Sequence, residues 1–354
     1  MSIYFSEKYK NLTPYVPGEQ PKERKYIKLN TNESPFPPSP LALTLARQKA
    51  GDINLYSDPE CISLVSAACE VLGIEKENII FTNGSDEALN FAFMAFCDEK
   101  KKAVFPNITY GFYKVFAELH GIDYKEIPLG SDLSLNVDDY LGINETIFIA
   151  NPNAPTGLCL SLSDIEKIVA SNPESVVVVD EAYVDFGGES AIKLTKKYKN
   201  LLVCQTFSKS RSLAGARLGF AVGDKELIND LNTIKYSTNP YNVNSMTMLA
   251  GVGALLDEKY FKDNCEKIIK TREKTKKSLE NLGFDFTDSK ANFLFAKSDK
   301  ISGKALYEKL RENGILVRRF DKEIIKDYNR ITVGSDEEMQ ILIETIQKIL
   351  GEIK

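Results

Sequence analysis

The sequence predicts an α/β fold, a mostly parallel central sheet flanked by helices, followed by a smaller α+β domain. Three observations lead there. Apolar strand-like segments alternate with helical patterns through residues 78–222. Val176-Val177-Val178-Val179 is continuously β-branched, which suits a strand covered on both faces. The chain has 354 residues, 43% hydrophobic and 27% charged, which is the length of about two ordinary globular domains.

In chain order, Thr31 to Pro40 carries four prolines, which oppose helix and favour extended chain, so residues 1–40 read as an arm. Strands are expected at Asn78–Thr82, Ala103–Pro106, Thr146–Ala150, Val176–Asp180, Leu201–Thr206 and Leu218–Val222, with helices at Ser85–Cys97 and Leu162–Ala170 between them. Beyond Tyr236 the pattern is helical at Asn244–Leu256 and Phe261–Leu282. Short strands at Asn292–Lys297, Ile315–Arg318 and Arg330–Val333 then mix with helices at Gly303–Asn313 and Glu337–Leu350. The expected division is a large domain over 41–257 and a small one over 258–354, with the arm crossing back to pack on the small domain.

Composition excludes several classes of function. Lys plus Arg total 45 against 50 Asp plus Glu, a net charge of −5, and no basic block is present, so neither nucleic acid nor a membrane surface is an expected partner. Met1 to Lys10 lacks the apolar core of a secretory signal and no apolar run is long enough to span a bilayer, so the expected location is the cytoplasm. The six cysteines contain no C-x-x-C pair and read as free buried thiols. His120 is the single histidine, which rules out a multi-histidine metal site and leaves no metal expected.

Open parallel sheets bind ligands at the carboxyl ends of their strands. Four such ends here are polar: Thr82-Asn83-Gly84-Ser85-Asp86, Asn151-Pro152-Asn153-Ala154-Pro155-Thr156-Gly157, Asp180-Glu181-Ala182-Tyr183, and Thr206-Phe207-Ser208-Lys209 followed by Gly215-Ala216-Arg217. A lysine at a strand end near a fixed cation such as Arg217 has its ammonium form disfavoured, which suits Lys209 to form a Schiff base with a carbonyl cofactor. A carboxylate beside it, Asp180, could hold the pyridine nitrogen of pyridoxal phosphate protonated, and Tyr183 could reach the phenolate oxygen. Gly84-Ser85-Asp86 opens a helix whose first N–H groups offer an anion site, although Asn83 or Ser85 would cap that helix whatever bound there. Thr206, Ser208 and Arg217 add hydroxyls and a guanidinium suited to the same phosphate. No G-x-G-x-x-G follows a strand and no P-loop is present, which removes the dinucleotide and nucleotide readings.

Asn153-Ala154-Pro155-Thr156-Gly157, Asp180-Glu181-Ala182-Tyr183 and Ser208-Lys209 with Gly215-Ala216-Arg217, in that order, resemble the fold-type I pyridoxal-phosphate aminotransferases over nearly the whole chain. Asn11-Leu12-Thr13-Pro14-Tyr15, Lys28 to Glu33, Asn54-Leu55-Tyr56, Pro240 to Asn244 and Arg330 to Gly334 narrow the resemblance to the histidinol-phosphate aminotransferase family. The resemblance implies pyridoxal 5'-phosphate as cofactor, L-histidinol phosphate and 2-oxoglutarate or glutamate as substrates, and a homodimer. It makes Lys209 the aldimine lysine, Asp180 and Tyr183 the partners of the pyridine nitrogen and phenolate oxygen, and Tyr110 the ring stacked on the cofactor. Gly84, Ser85, Asp86, Thr206, Ser208 and Arg217 would hold the phosphate. Arg330 would take the substrate anions with Arg318 and Asn292 nearby, Arg319 competing with Arg318 for the inward position. Tyr15, Asn32 and Tyr56 are implied substrate contacts, Tyr56 in the neighbouring subunit's site. Relatives commonly carry asparagine just before Pro-Thr-Gly, bonded to the phenolate oxygen, where this chain has Ala154; Asn153 either takes that contact or serves the turn. An aromatic-amino-acid aminotransferase, a threonine-phosphate decarboxylase, or a non-catalytic binding protein would share the fold.

Overall fold

The computed structural model describes residues 2–352. In chain order its elements are β1 (Ile27–Lys28), α1 (Pro40–Lys49), α2 (Ile62–Leu72), β2 (Ile79–Thr82), α3 (Ser85–Phe96), β3 (Ala103–Pro106), α4 (Phe112–His120), β4 (Tyr124–Ile127), β5 (Thr146–Ala150) and α5 (Leu162–Ser171). They continue with β6 (Val177–Asp180), β7 (Leu201–Thr206), β8 (Gly219–Gly223), α6 (Lys225–Thr238), α7 (Ser245–Leu256) and α8 (Glu258–Asn281). Last come β9 (Phe284–Phe286), β10 (Phe293–Ser298), α9 (Gly303–Glu312), β11 (Ile315–Leu316), β12 (Arg318–Arg319), β13 (Asn329–Thr332) and α10 (Asp336–Glu352).

The central sheet has seven strands in the order β2-β8-β7-β6-β5-β3-β4. From β4 to β7 all neighbours run parallel, whereas β8 is antiparallel to both β7 and β2. Alternate strand residues serve opposite faces, and both faces are covered. Val177, Val179, Val203 and Ile147 enter one apolar cluster with residues of α2, α5 and α7. Val178, Leu202, Phe148 and Phe105 enter the other with α3, α4 and α6. The antiparallel strand positions the site. Gly219, its first residue, pairs with both Thr206 and Thr82 at their carboxyl ends, so the residues just before Gly219 are delivered to that edge.

The small domain is an antiparallel sheet, β12-β13-β10-β9, whose apolar cluster takes residues from α8, α9 and α10. The N-terminal arm packs here: β1 pairs in parallel with β11, and Leu29 enters the cluster of Leu294, Ile331 and Leu342. Arg24 donates to the carbonyls of Arg311 and Glu312, and Glu19 pairs with Arg311 at 3.0 Å.

Ile315–Arg318 is not one strand. The chain changes partners at buried Val317, so Ile315–Leu316 pairs with the arm and Arg318–Arg319 with β13. Helices α1, α2, α4 and α6 and edge strand β4 add to the expected pattern. In α6 only Ile228, Leu231 and Lys235 are buried, a narrow stripe on a polar helix, and Lys125 and Glu126 face solvent from β4. All six cysteines are free, four of them buried, and no helix among the described residues is long and apolar enough to cross a membrane.

A side chain at position 219 would collide with backbone: its Cβ would lie 2.3 Å from the Ser85 nitrogen. Gly219→Ala is expected to push the start of α3 off the sheet edge and to lower stability by about 1–3 kcal/mol, as overpacking does. Urea unfolding of both proteins measures this; equal midpoints would contradict the close approach.

Candidate active site

A cavity of about 640 Å³ opens at the carboxyl edge of the central sheet, between it, the arm and the small domain. That size suits a cofactor together with a small substrate. Lys209, Asp180, Tyr183, Ser85, Asp86, Tyr110, Thr206, Ser208, Arg217, Tyr15, Asn32, Arg318 and Arg330 all line it.

Lys209 follows β7 by way of Phe207, whose ring is fully buried. Its Nζ donates to the Thr31 carbonyl at 3.2 Å and lies 5.9 Å from the centre of the Tyr183 ring. Burial, helped by Arg330 and Arg217, pulls the lysine down to about 8 from its usual range above 10. Asp180 ends β6 and is 5% exposed. Burial pushes its carboxyl up to about 6, opposed by hydrogen bonds from the Tyr113 hydroxyl at 3.1 Å and the Ala182 N–H at 3.2 Å. Glu181 turns away and ties the loop after it through Ser190, Ala191 and Gln205.

One end of the cavity is an anion seat. Ser85 is the first residue of α3, whose opening N–H groups have no intrahelical partner. Thr206 donates to the Ser208 hydroxyl, and Arg217 reaches Ser208 at 3.4 Å and Asp86 at 2.9 Å. Gly84 does not line the cavity. It makes room for it, because a Cβ there would stand 2.6 Å from the Arg217 guanidinium. Tyr110 is fixed over this end by a 2.6 Å hydrogen bond to Asp86.

The small domain contributes Arg330 from β13. Its guanidinium donates to the Asn30 carbonyl at 3.1 Å and rests on Phe293 and Phe320, while its buried Nε has no partner. A half-buried guanidinium lining the cavity is suited to an anion. Arg318 faces the cavity and clasps the arm through the carbonyls of Val16 and Pro17, whereas Arg319 turns to Asp321. Tyr15 forms part of the wall, stacked on Phe112 at 4.3 Å.

Asn292 and Asn32, like Gly84, stand differently from their expected places, while Asn153 takes one of its two expected roles and Tyr56, expected in the neighbouring subunit's site, lies outside the cavity of its own chain. Asn153 is turned from the cavity, bonded to Thr109, Thr156 and the Ile108 carbonyl, so it serves the turn. Asn292 is fully buried and supports the arm by donating to the Asn32 carbonyl, without reaching the cavity. Asn32 lines the cavity, but its amide is spent on the Tyr183 hydroxyl at 2.9 Å, so it is not a free substrate donor. Tyr56 is 85% exposed, outside the cavity of its own chain, stacked on Tyr241. Two residues escaped sequence reasoning: Tyr113, whose signal is its position one helical turn after Tyr110, and Thr332, two residues after Arg330 on the same strand.

These features fit pyridoxal phosphate: an anion seat, a buried carboxylate, an amine poised to lose its proton, and a second cation with an orphaned donor. A family model described as aminotransferase class I and II matches residues 24–346. The chain belongs to the class I and II aminotransferase family. Within it, the chain is 51% identical to the histidinol-phosphate aminotransferase of Brachyspira hyodysenteriae over 99% of both chains. Identity to that of Clostridium beijerinckii is 48%, over 99% of this chain and 98% of the other. Among solved structures, histidinol-phosphate aminotransferase from Sinorhizobium meliloti in complex with pyridoxal-5'-phosphate superposes with a TM-score of 0.90 at 23% identity, covering 100% of this chain and 99% of that one. This aminotransferase therefore has the fold-type I architecture and uses pyridoxal phosphate.

The depressed Lys209 gives a pH test. Only the neutral amine attacks an aldehyde, and a lowered value makes that form dominant from about pH 8 upward. The initial rate at which cofactor-free protein takes up pyridoxal phosphate is expected to rise through about pH 8 and level off above it. A rate still climbing at pH 10 would show an ordinary, solvated lysine.

Proposed function

We propose that this aminotransferase moves the amino group of L-histidinol phosphate to 2-oxoglutarate, giving imidazole-acetol phosphate and glutamate in histidine biosynthesis, as a cytoplasmic homodimer. The observation that carries this reading is the near-half identity, end to end, to histidinol-phosphate aminotransferases, with a half-buried lysine and an arginine facing one cavity. Aromatic-amino-acid transamination and threonine-phosphate decarboxylation are not favoured, because that identity extends over the full length of both chains.

Pyridoxal phosphate, when bound, supplies an aldehyde on which a substrate amine can replace a lysine, and a ring that draws electrons from the carbon bearing that amine. The protein supplies the rest. Ser85, Thr206, Ser208 and Arg217 would hold the phosphate, and Asp180, ionised above about pH 6, would keep a proton on the ring nitrogen. Tyr183 would donate its hydroxyl hydrogen to the phenolate oxygen. Tyr110 closes the site on the Asp86 side. Arg330 accepts the substrate's anion, a phosphate monoester in one half-reaction and a carboxylate in the other, because its planar fork suits both. Lys209, once its amine is free, would take the proton from the amine-bearing carbon and pass it to the cofactor's former aldehyde carbon, and would carry it the opposite way in the reverse half-reaction, which a group near 8 can do in both directions near neutral pH.

The homodimer is supported by the exposed patch of Ile53, Leu55, Tyr56 and Ile62, each at least 62% exposed. Such an apolar surface is suited to burial against a second copy, which would carry Tyr56 into the neighbouring site.

The test is spectroscopic. Adding L-histidinol phosphate to the cofactor-loaded protein without oxo acid is expected to abolish the visible absorption band, and 2-oxoglutarate is expected to restore it. Conversion by phenylalanine or tyrosine but not by histidinol phosphate would transfer the reading to aromatic substrates. Release of carbon dioxide from threonine phosphate would make the protein a decarboxylase.

A further inference from the structure

Asn32 sits in the arm in a left-handed conformation (φ 55°), 1% exposed, and is held on three sides. Its N–H donates to the Thr332 hydroxyl oxygen at 3.0 Å, that hydroxyl donates to Asn32 Oδ1 at 2.9 Å, and the Asn292 amide donates to the Asn32 carbonyl at 3.1 Å. With Oδ1 fixed as an acceptor, the other end of the amide is its NH2, and this faces the Tyr183 hydroxyl at 2.9 Å. Asn32 therefore donates to Tyr183, and the hydrogen of Tyr183 cannot point back at it. Among the described residues no other side chain hydrogen-bonds that hydroxyl. Ala154 presents only a methyl group beside the Tyr183 ring, and Asn153 is tied elsewhere.

We infer that Asn32, locked by Thr332, is a positioning residue: it aims the Tyr183 hydroxyl hydrogen into the cavity and strengthens it as a donor to the cofactor's phenolate oxygen. A hydroxyl that accepts one hydrogen bond becomes a better donor of the next. The arrangement supplies from the arm what the wall around Ala154 does not. It also ties two tasks to one strand, since Thr332 lies two residues beyond Arg330 on the same face of β13. The inference rests on the pyridoxal-phosphate reading of the site.

The test is the pH midpoint of the visible absorption band of the cofactor-loaded protein, measured for Asn32→Gly in the native chain and in a Tyr183→Phe background. Glycine tolerates the left-handed conformation and adds no charge. A donor on the phenolate oxygen favours the more negative form of the chromophore, so weakening it raises the midpoint. Asn32→Gly is expected to raise it by about half a pH unit, the scale of one hydrogen bond, and to change nothing further once Tyr183 is Phe. Thr332→Val, which frees the amide to turn over, is expected to shift it in the same direction, and it carries the test if the glycine variant does not fold. An unchanged midpoint in these variants, or an equal shift with and without the tyrosine hydroxyl, would overturn the inference. Absence of any visible band in the native protein would overturn the reading beneath it.

Discussion

The interaction on which the site depends is the loss of water around the Lys209 ammonium. A solvated lysine is protonated at neutral pH and inert as a nucleophile. Here the amine is enclosed by the sheet edge, the Tyr183 ring and the Thr31 carbonyl, with Arg330 and Arg217 adding positive charge from two sides. Asp86 and Glu33 oppose the shift, which stops the value at about 8. An amine of that strength can give up its proton and take one back near neutrality. The fold reaches this arrangement through one departure from a parallel sheet. Strand β8 begins where β2 and β7 end, so Arg217 arrives beside residues from strands far away in sequence.

The arm is the second structural device. Three successive residues join it to three groups of the site: the Asn30 carbonyl accepts from Arg330, the Thr31 carbonyl from Lys209, and the Asn32 amide donates to Tyr183. The arm is in turn held by the small domain through β11 and by Arg318 through Val16 and Pro17. The lysine and the tyrosine are thus linked through the arm to the small domain. The cavity presents two cations from different domains, Arg217 beside α3 and Arg330 on β13, so a phosphorylated cofactor and an anionic substrate need not compete for one cation.

Much of this was legible in the sequence for a physical reason. A strand covered on both faces must be apolar, so the change from Val179 to Asp180, or from Cys204 to Thr206 and Lys209, marks both the strand's end and its chemistry. What was not legible depended on partners distant in sequence. Asn153 and Asn292 have the composition of site residues, but their neighbours turn them into a turn brace and a support for the arm. Tyr113 reads as one more core aromatic, and only the packing of α4 on Phe105 of β3 and Phe148 of β5 brings its hydroxyl to Asp180. The run Ile315–Arg318 is apolar enough for one strand, and the change of partner at Val317 leaves no mark in local periodicity.

The claim that Lys209 is the amine that carries the cofactor is tested most directly by borohydride reduction of the pyridoxal phosphate-loaded protein, followed by peptide mapping by mass spectrometry. The expected result is a single phosphopyridoxyl group on the peptide containing Lys209. A label on any other lysine, or none, would contradict it.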